Sequence, residues 1–119
     1  MTPEGKVKLK VRRILNRWAN QELMDIFMPV PSGFGESRLD FICCIGGNYL
    51  AIETKRGGGK PTARQDKMIR SIRKAGGTVF VVTSEETAHA LEQYLELTYG
   101  IPTQPQAEAS RDPVPPSNP

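Results

Sequence analysis

Asp40, Glu53 and Lys55 are the residues whose types and spacing could do chemistry in this chain. Leu39 to Ile45 and Tyr49 to Lys55 read as two strands joined by a Gly46-Gly47-Asn48 turn, a hairpin signature. Glu53 and Lys55 are two apart, so they project from the same face of their strand. Antiparallel pairing about a turn near Gly47 sets Asp40 beside position 53 or 54. Two carboxylates and an ammonium thus meet at one end of a sheet. Phe41, Ile42, Ile45, Leu50, Ala51 and Ile52 mark these strands as largely buried, where paired carboxylates need compensating charge. A divalent cation supplies it: magnesium takes one or two carboxylates and completes its shell with waters and phosphate oxygens. Such an ion stabilises charge on a scissile phosphate and acidifies a bound water. Lys55 could orient that water and offset charge building at phosphorus. Glu53-Thr54-Lys55 alone would read as a polar strand end with a surface ion pair. Asp40 at the right place across the hairpin shifts the balance towards chemistry.

The elements that must position these residues follow from periodicity. Thr2 caps a first helix from Pro3 to Asn20, with Val7, Val11, Ile14, Leu15 and Trp18 at helical spacing and lysines and arginines over the rest. Leu23 to Met28 reads as a strand ended by Pro29-Val30-Pro31, and residues 31–37 have loop chemistry. After the hairpin comes the basic loop Arg56-Gly57-Gly58-Gly59-Lys60-Pro61. Thr62 caps a second helix that turns Ala63, Met68, Ile69 and Ile72 inward and stops at Gly76-Gly77. Thr78 to Thr83 is a strand. Ser84 caps a third helix with Ala88, Leu91, Leu95 and Tyr94 inward. The order α-β-β-β-α-β-α implies an α/β fold, a mixed central sheet flanked by helices.

Length and charge bound the function. The 119 residues support one domain, expected over residues 1–100. Six of the ten prolines fall in the last 18 residues, so residues 101–119 read as a disordered Pro-rich tail. No apolar run approaches the ~20 residues of a membrane span, and no signal-peptide core follows Met1, so a cytoplasmic protein with no membrane partner is expected. Residues 1–74 carry 15 basic and 7 acidic side chains, and residues 75–119 carry 1 and 6. A basic front suggests a polyanionic partner. Cys43 and Cys44 are adjacent and the chain has one histidine, His89, so a spaced zinc site is excluded and buried, reduced thiols are expected. Gly59-Lys60 is followed by Pro61, so the glycine run is no Walker A loop. Trp18, at core spacing, and an aromatic content of 7% argue against a base-stacking platform.

Asp40, then Glu53-Thr54-Lys55, resembles the D…ExK core of the PD-(D/E)XK nuclease superfamily, and more narrowly the stand-alone VRR-Nuc domains. Glu4 on the first helix, Gly35 ahead of Asp40, the glycine-rich loop after Lys55, Gln65, and the run through Gly76-Gly77 to Val79-Phe80-Val81-Val82 extend the similarity over residues 3–83. Leu39 departs from it, standing where the superfamily usually has proline. The resemblance implies a restriction-endonuclease-like fold similar to archaeal Holliday-junction resolvases. It also implies Mg²⁺, with Mn²⁺ as substitute, bound by Asp40, Glu53 and the Thr54 backbone carbonyl. Lys55 would be the catalytic lysine, with Gln65 and Glu4 in support, although a favourable charge at a helix N-terminus accounts for Glu4 equally well.

The expected activity is a metal-dependent endodeoxyribonuclease, phage-type and working in a bacterial host cytoplasm, selective for branched DNA such as four-way junctions. Lys6, Lys10, Arg13, Arg56, Lys60, Arg64 and Lys67 would hold phosphates. A homodimer is expected, built on Phe27, Met28, Val30 and Phe34 or on Leu95, Leu97, Tyr99 and Ile101, although either cluster could instead close the monomer's own core. A non-catalytic DNA-binding module, a generic metal-dependent nuclease and an RNA-directed factor are the alternatives these residues admit. A chain ending near Ile101 should fold and keep its activity, and a truncation that melts the domain or abolishes cleavage would refute the dispensable tail.

Overall fold

The computed structural model describes residues 1–30 and 38–103. The expectations of loop chemistry over residues 31–37 (Phe34 and Gly35 among them) and of a disordered tail fall on residues 31–37 and 104–119, which lie outside the described residues. Seven elements follow in the expected order: α1 (Pro3–Ala19), β1 (Met24–Phe27), β2 (Phe41–Ile45), β3 (Asn48–Thr54), α2 (Ala63–Lys74), β4 (Thr78–Val82) and α3 (Glu85–Tyr99). The four strands form one sheet in the order β1-β2-β3-β4. The first two pairings are antiparallel, and β3 pairs with β4 in parallel, the crossover being α2. The hairpin turn is two residues rather than three, because Asn48 already pairs with Ile45. Gly46 and Gly47 both take positive φ (59° and 78°), which this tight turn demands and which a side chain would resist.

Strand alternation sorts the side chains onto two helical layers. Phe41, Cys43, Ile45, Leu50, Ile52 and Val82 face α1 and α3, packing on Val11, Leu15, Trp18, Leu91 and Leu95. Ala51 and Val79 face the other way, onto Ile69 and Ile72 of α2, with Leu39 closing that smaller cluster. The caps are as expected: the Thr2 hydroxyl accepts from Gly5 N–H, and Thr62 and Ser84 each form a reciprocal capping box. The buried Trp18 donates its indole N–H to the Gly100 carbonyl (3.2 Å), tying the end of α3 to α1.

Three expectations need correction. Ala63 is exposed, because it opens α2 before the helix settles on the sheet. Only Cys43 is buried; Cys44, one residue on, points to the opposite face and is exposed. Burial pushes the Cys43 thiol up to about 12, so it stays an inert apolar filler. The two apolar clusters divide: Leu95 is fully buried, and Met28 and Tyr99 pack on the core, whereas Phe27, Val30, Leu97 and Ile101 are exposed.

Gly77, in the connection between α2 and β4, packs closely against Ile72 of α2 and Tyr49 of β3. A Cβ there would stand 2.6 Å from the Ile72 methyl and 3.2 Å from both the Ile72 carbonyl and the Tyr49 ring. Gly77→Ala should therefore cost about 1–3 kcal/mol by overpacking, read as a lower urea midpoint at unchanged slope. An unchanged midpoint would refute this tight junction.

Candidate active site

Continuing the β2–β3 register one residue past Phe41–Ile52 sets Asp40 opposite Glu53. The contacts bear this out. Asp40 N–H donates to Glu53 Oε1 at 3.3 Å, while Asp40 Oδ2 accepts from the Thr54 N–H (2.9 Å) and the Thr54 hydroxyl (2.6 Å). The chain bends at Asp40, which lets its carboxylate reach across to the following pair. Lys55 Nζ lies 3.3 Å from Glu53 Oε2, on the face shared by residues two apart. Gln65 Nε2 donates to the same oxygen at 2.7 Å. Its own Oε1 accepts from Thr62 N–H, so the residue that completes the α2 capping box also orients the glutamate.

Glu53 is 2% exposed, and Thr54 beside it is fully buried. Burial raises the Glu53 carboxyl above the ordinary glutamate range, and the neighbouring Asp40 adds to the shift. Lys55, by its charge and its hydrogen bond, and the Asp40 N–H pull the other way without cancelling it. Thus the fold holds a carboxylate where ionisation is disfavoured, next to a second acid.

A divalent cation fits this donor set. The available donors are hard oxygens, two carboxylates flanking the Thr54 peptide, and each carboxylate already faces an ammonium: Lys55 at Glu53, Lys8 at Asp40. Among the described residues, no three His, Cys, Asp or Glu side chains converge closely enough to hold a metal. Glu4, exposed in the first turn of α1, does not join Asp40 and Glu53 in such a group.

Lys8 escaped the sequence reading. Its ammonium is 3.7 Å from Asp40 Oδ1, and it was one of six cations on α1 with nothing to single it out except its place one turn after Glu4. The grip of Thr54 on Asp40 was missed as well, since only its backbone carbonyl figured there. The expected phosphate contacts divide by position. Arg56, Lys60, Arg64 and Lys67 are exposed on the loop after Lys55 and at the start of α2, the end of the molecule where Gln65 meets Glu53. Lys6 and Lys10 line a shallow cleft between α1 and the start of α3, where Lys10 pairs with Glu85 at 3.5 Å. Arg13 lines another with Asn16, Arg17 and Pro102, and Arg17 is held by Glu92 and Glu96. The basic front and acidic rear are thus partly joined, because α1 and α3 lie side by side on one face of the sheet.

No protein-family model and no curated protein matches the chain. Among solved structures, a chain described as "VRR_NUC domain" superposes with a TM-score of 0.63 and 22% identity, over 79% of this chain and 98% of that one. The fold is that of a VRR_NUC domain. In this VRR_NUC fold the site sits where β3 ends, between α1 on one face and α2 on the other.

The raised Glu53 carboxyl makes stability pH-dependent with a definite sign. The folded state binds that proton more tightly than the unfolded chain, so this contribution is fully present below the ordinary glutamate range. It is lost as pH rises through the elevated folded value. In EDTA, wild-type unfolding free energy should decline across that window, and Glu53→Gln should be flatter. Urea titrations at stepped pH check this, and parallel slopes for the two proteins would contradict a strained Glu53.

Proposed function

We propose that this protein is a metal-dependent endonuclease of the PD-(D/E)XK kind, hydrolysing phosphodiester bonds in DNA. One observation carries the reading: Asp40 and a buried Glu53, 13 residues apart in sequence, are brought into contact with Lys55 and Gln65 at a single sheet end. No packing need explains it, since a buried glutamate beside an aspartate costs stability. The description of the structural neighbour as a VRR_NUC domain supports the same reading.

Asp40, Glu53 and the Thr54 carbonyl would hold Mg²⁺ or Mn²⁺, which when bound polarises a phosphate and acidifies a coordinated water. The remaining work falls to side chains. Thr54 fixes Asp40 Oδ2 through two donors, leaving Oδ1 directed outward. Gln65 fixes Glu53. Lys55, 17% exposed in its side chain, can reach from Glu53 to the attacking water and to the charge developing at phosphorus. Arg56, Lys60, Arg64 and Lys67 present cations along the approach. Lys6, Lys10 and Arg13 extend the positive surface over α1, so binding should be strongly salt-dependent and largely blind to sequence.

Branched DNA and a homodimer belong to the same proposal. Opposed cuts in a four-way junction need two sites related by a two-fold axis. Exposed Phe27 and Val30 at edge strand β1, and Leu97 and Ile101 at the end of α3, offer apolar surface for such pairing.

Labelled duplex and four-way junctions should be cut with Mg²⁺ or Mn²⁺ and remain intact in EDTA. Asp40→Asn and Glu53→Gln should abolish cleavage, while Lys55→Ala should keep DNA affinity and lose about 10²-fold or more in rate. Full activity of Asp40→Asn would refute the site, and DNA binding without cleavage by the wild type would leave a binding module. In competition gel shifts the junction should outcompete linear duplex, with sedimentation giving a dimer. A monomer with no junction preference would reduce the reading to a generic nuclease.

A further inference from the structure

The two oxygens of Asp40 are unlike. Oδ2 accepts both the N–H and the hydroxyl of Thr54, so its lone pairs are engaged by fully buried groups. Oδ1 faces the Lys8 ammonium at 3.7 Å, beyond hydrogen-bond length, with 41% of the Lys8 side chain exposed against 22% for Asp40. Lys55 differs: it is 17% exposed and sits closer, 3.3 Å from a glutamate oxygen that Gln65 also holds. One cation is therefore built into the site, and the other rests loosely at its mouth.

A dication reaching Asp40 must use Oδ1, because Oδ2 is already engaged. It would meet the Lys8 ammonium there, and two cations at one oxygen repel. Lys8 sits on the rigid α1, yet its four-carbon stem lets the ammonium swing away while the helix stays in place. The anion that arrives next to a carboxylate-bound dication is the substrate phosphate, a fitting new partner for a displaced ammonium. Resting on the nuclease reading above, we propose that Lys8 is an exchangeable counter-ion of Asp40, holding its carboxylate while cation and nucleic acid are absent and moving to a substrate phosphate once the cation is bound. Lys8 is thus a positioning residue towards Asp40 and a phosphate contact afterwards. Its consequence is coupling: the cation frees the ammonium that the phosphate needs, and the phosphate takes away the ammonium that opposes the cation. A merely structural ion pair would give no such reciprocity.

Mn²⁺ alone is the probe, with the free ion followed by paramagnetic resonance, for the wild type, Lys8→Gln, Lys8→Arg and Asp40→Asn. Each is titrated with and without a phosphorothioate duplex that resists cleavage. Without duplex, Lys8→Gln should bind Mn²⁺ about two- to five-fold more tightly than wild type, the scale of a part-exposed ion pair. With duplex present that advantage should vanish. By reciprocity, the factor by which Mn²⁺ strengthens duplex binding should fall equally in Lys8→Gln, and Lys8→Arg should restore most of it. Equal or weaker Mn²⁺ binding by Lys8→Gln, or undiminished coupling, overturns the exchange. If Asp40→Asn then still abolishes Mn²⁺ binding, the nuclease reading survives that loss. A wild type that binds no Mn²⁺ removes both.

Discussion

The structure is organised around an unfavourable contact, a buried Glu53 held against Asp40 at the end of the central strand. In a molecule whose net stability rests on small differences between large terms, a carboxylate kept from water beside a like charge is a standing cost. The surroundings distribute that cost without removing it. Gln65 and the Asp40 N–H donate to Glu53, Thr54 donates twice to Asp40, and Lys55 and Lys8 balance charge from opposite sides. The Glu53 carboxyl stays raised although Lys55 and the Asp40 N–H both favour its charged form.

Every layer of the fold contributes to holding that contact. The β2–β3 register places Asp40 opposite Glu53, and the two-glycine turn sets the register. On one face α2 enters through Thr62 and Gln65, so helix capping and glutamate orientation are one hydrogen-bond network. The close contact at Gly77 then fixes the exit of the chain from α2 against Ile72 and Tyr49. On the other face α1 is pinned through Val11, Leu15 and Trp18, which brings Lys8 to Asp40. Loosening either helix would move a different partner of the same two carboxylates.

Local patterns made most of this legible in the sequence. Apolar runs on either side of Gly46-Gly47-Asn48 exposed the hairpin, and a turn centred near Gly47 was enough to bring Asp40 to Glu53. Helix starts at Thr2, Thr62 and Ser84 were readable because capping chemistry is short-range. What escaped depends on packing between distant elements. Nothing local separates Lys8 from its neighbours on α1; only the placement of α1 across the sheet does. Cys44 was misjudged because an apolar run hides the alternation that exposes every second residue. The divided apolar clusters escaped for a similar reason: Leu95 and Leu97 sit two apart on α3, one inside and one outside.

The same packing changes what the charge asymmetry means. Read along the chain, a basic front and an acidic rear suggest one broad positive face. Folded, α3 lies against α1 and its acids take up Lys10 and Arg17, while no described acid of α3 pairs with Arg56, Lys60, Arg64 or Lys67 in the contacts seen here. The acids of α3 thus offset part of the positive surface of α1 and leave the cations near Glu53 and Asp40 without an α3 partner. For a small domain with a short reach, that arrangement favours phosphates near the carboxylates over phosphates elsewhere on the surface. The acidic helix therefore shapes the approach to a site it does not itself line.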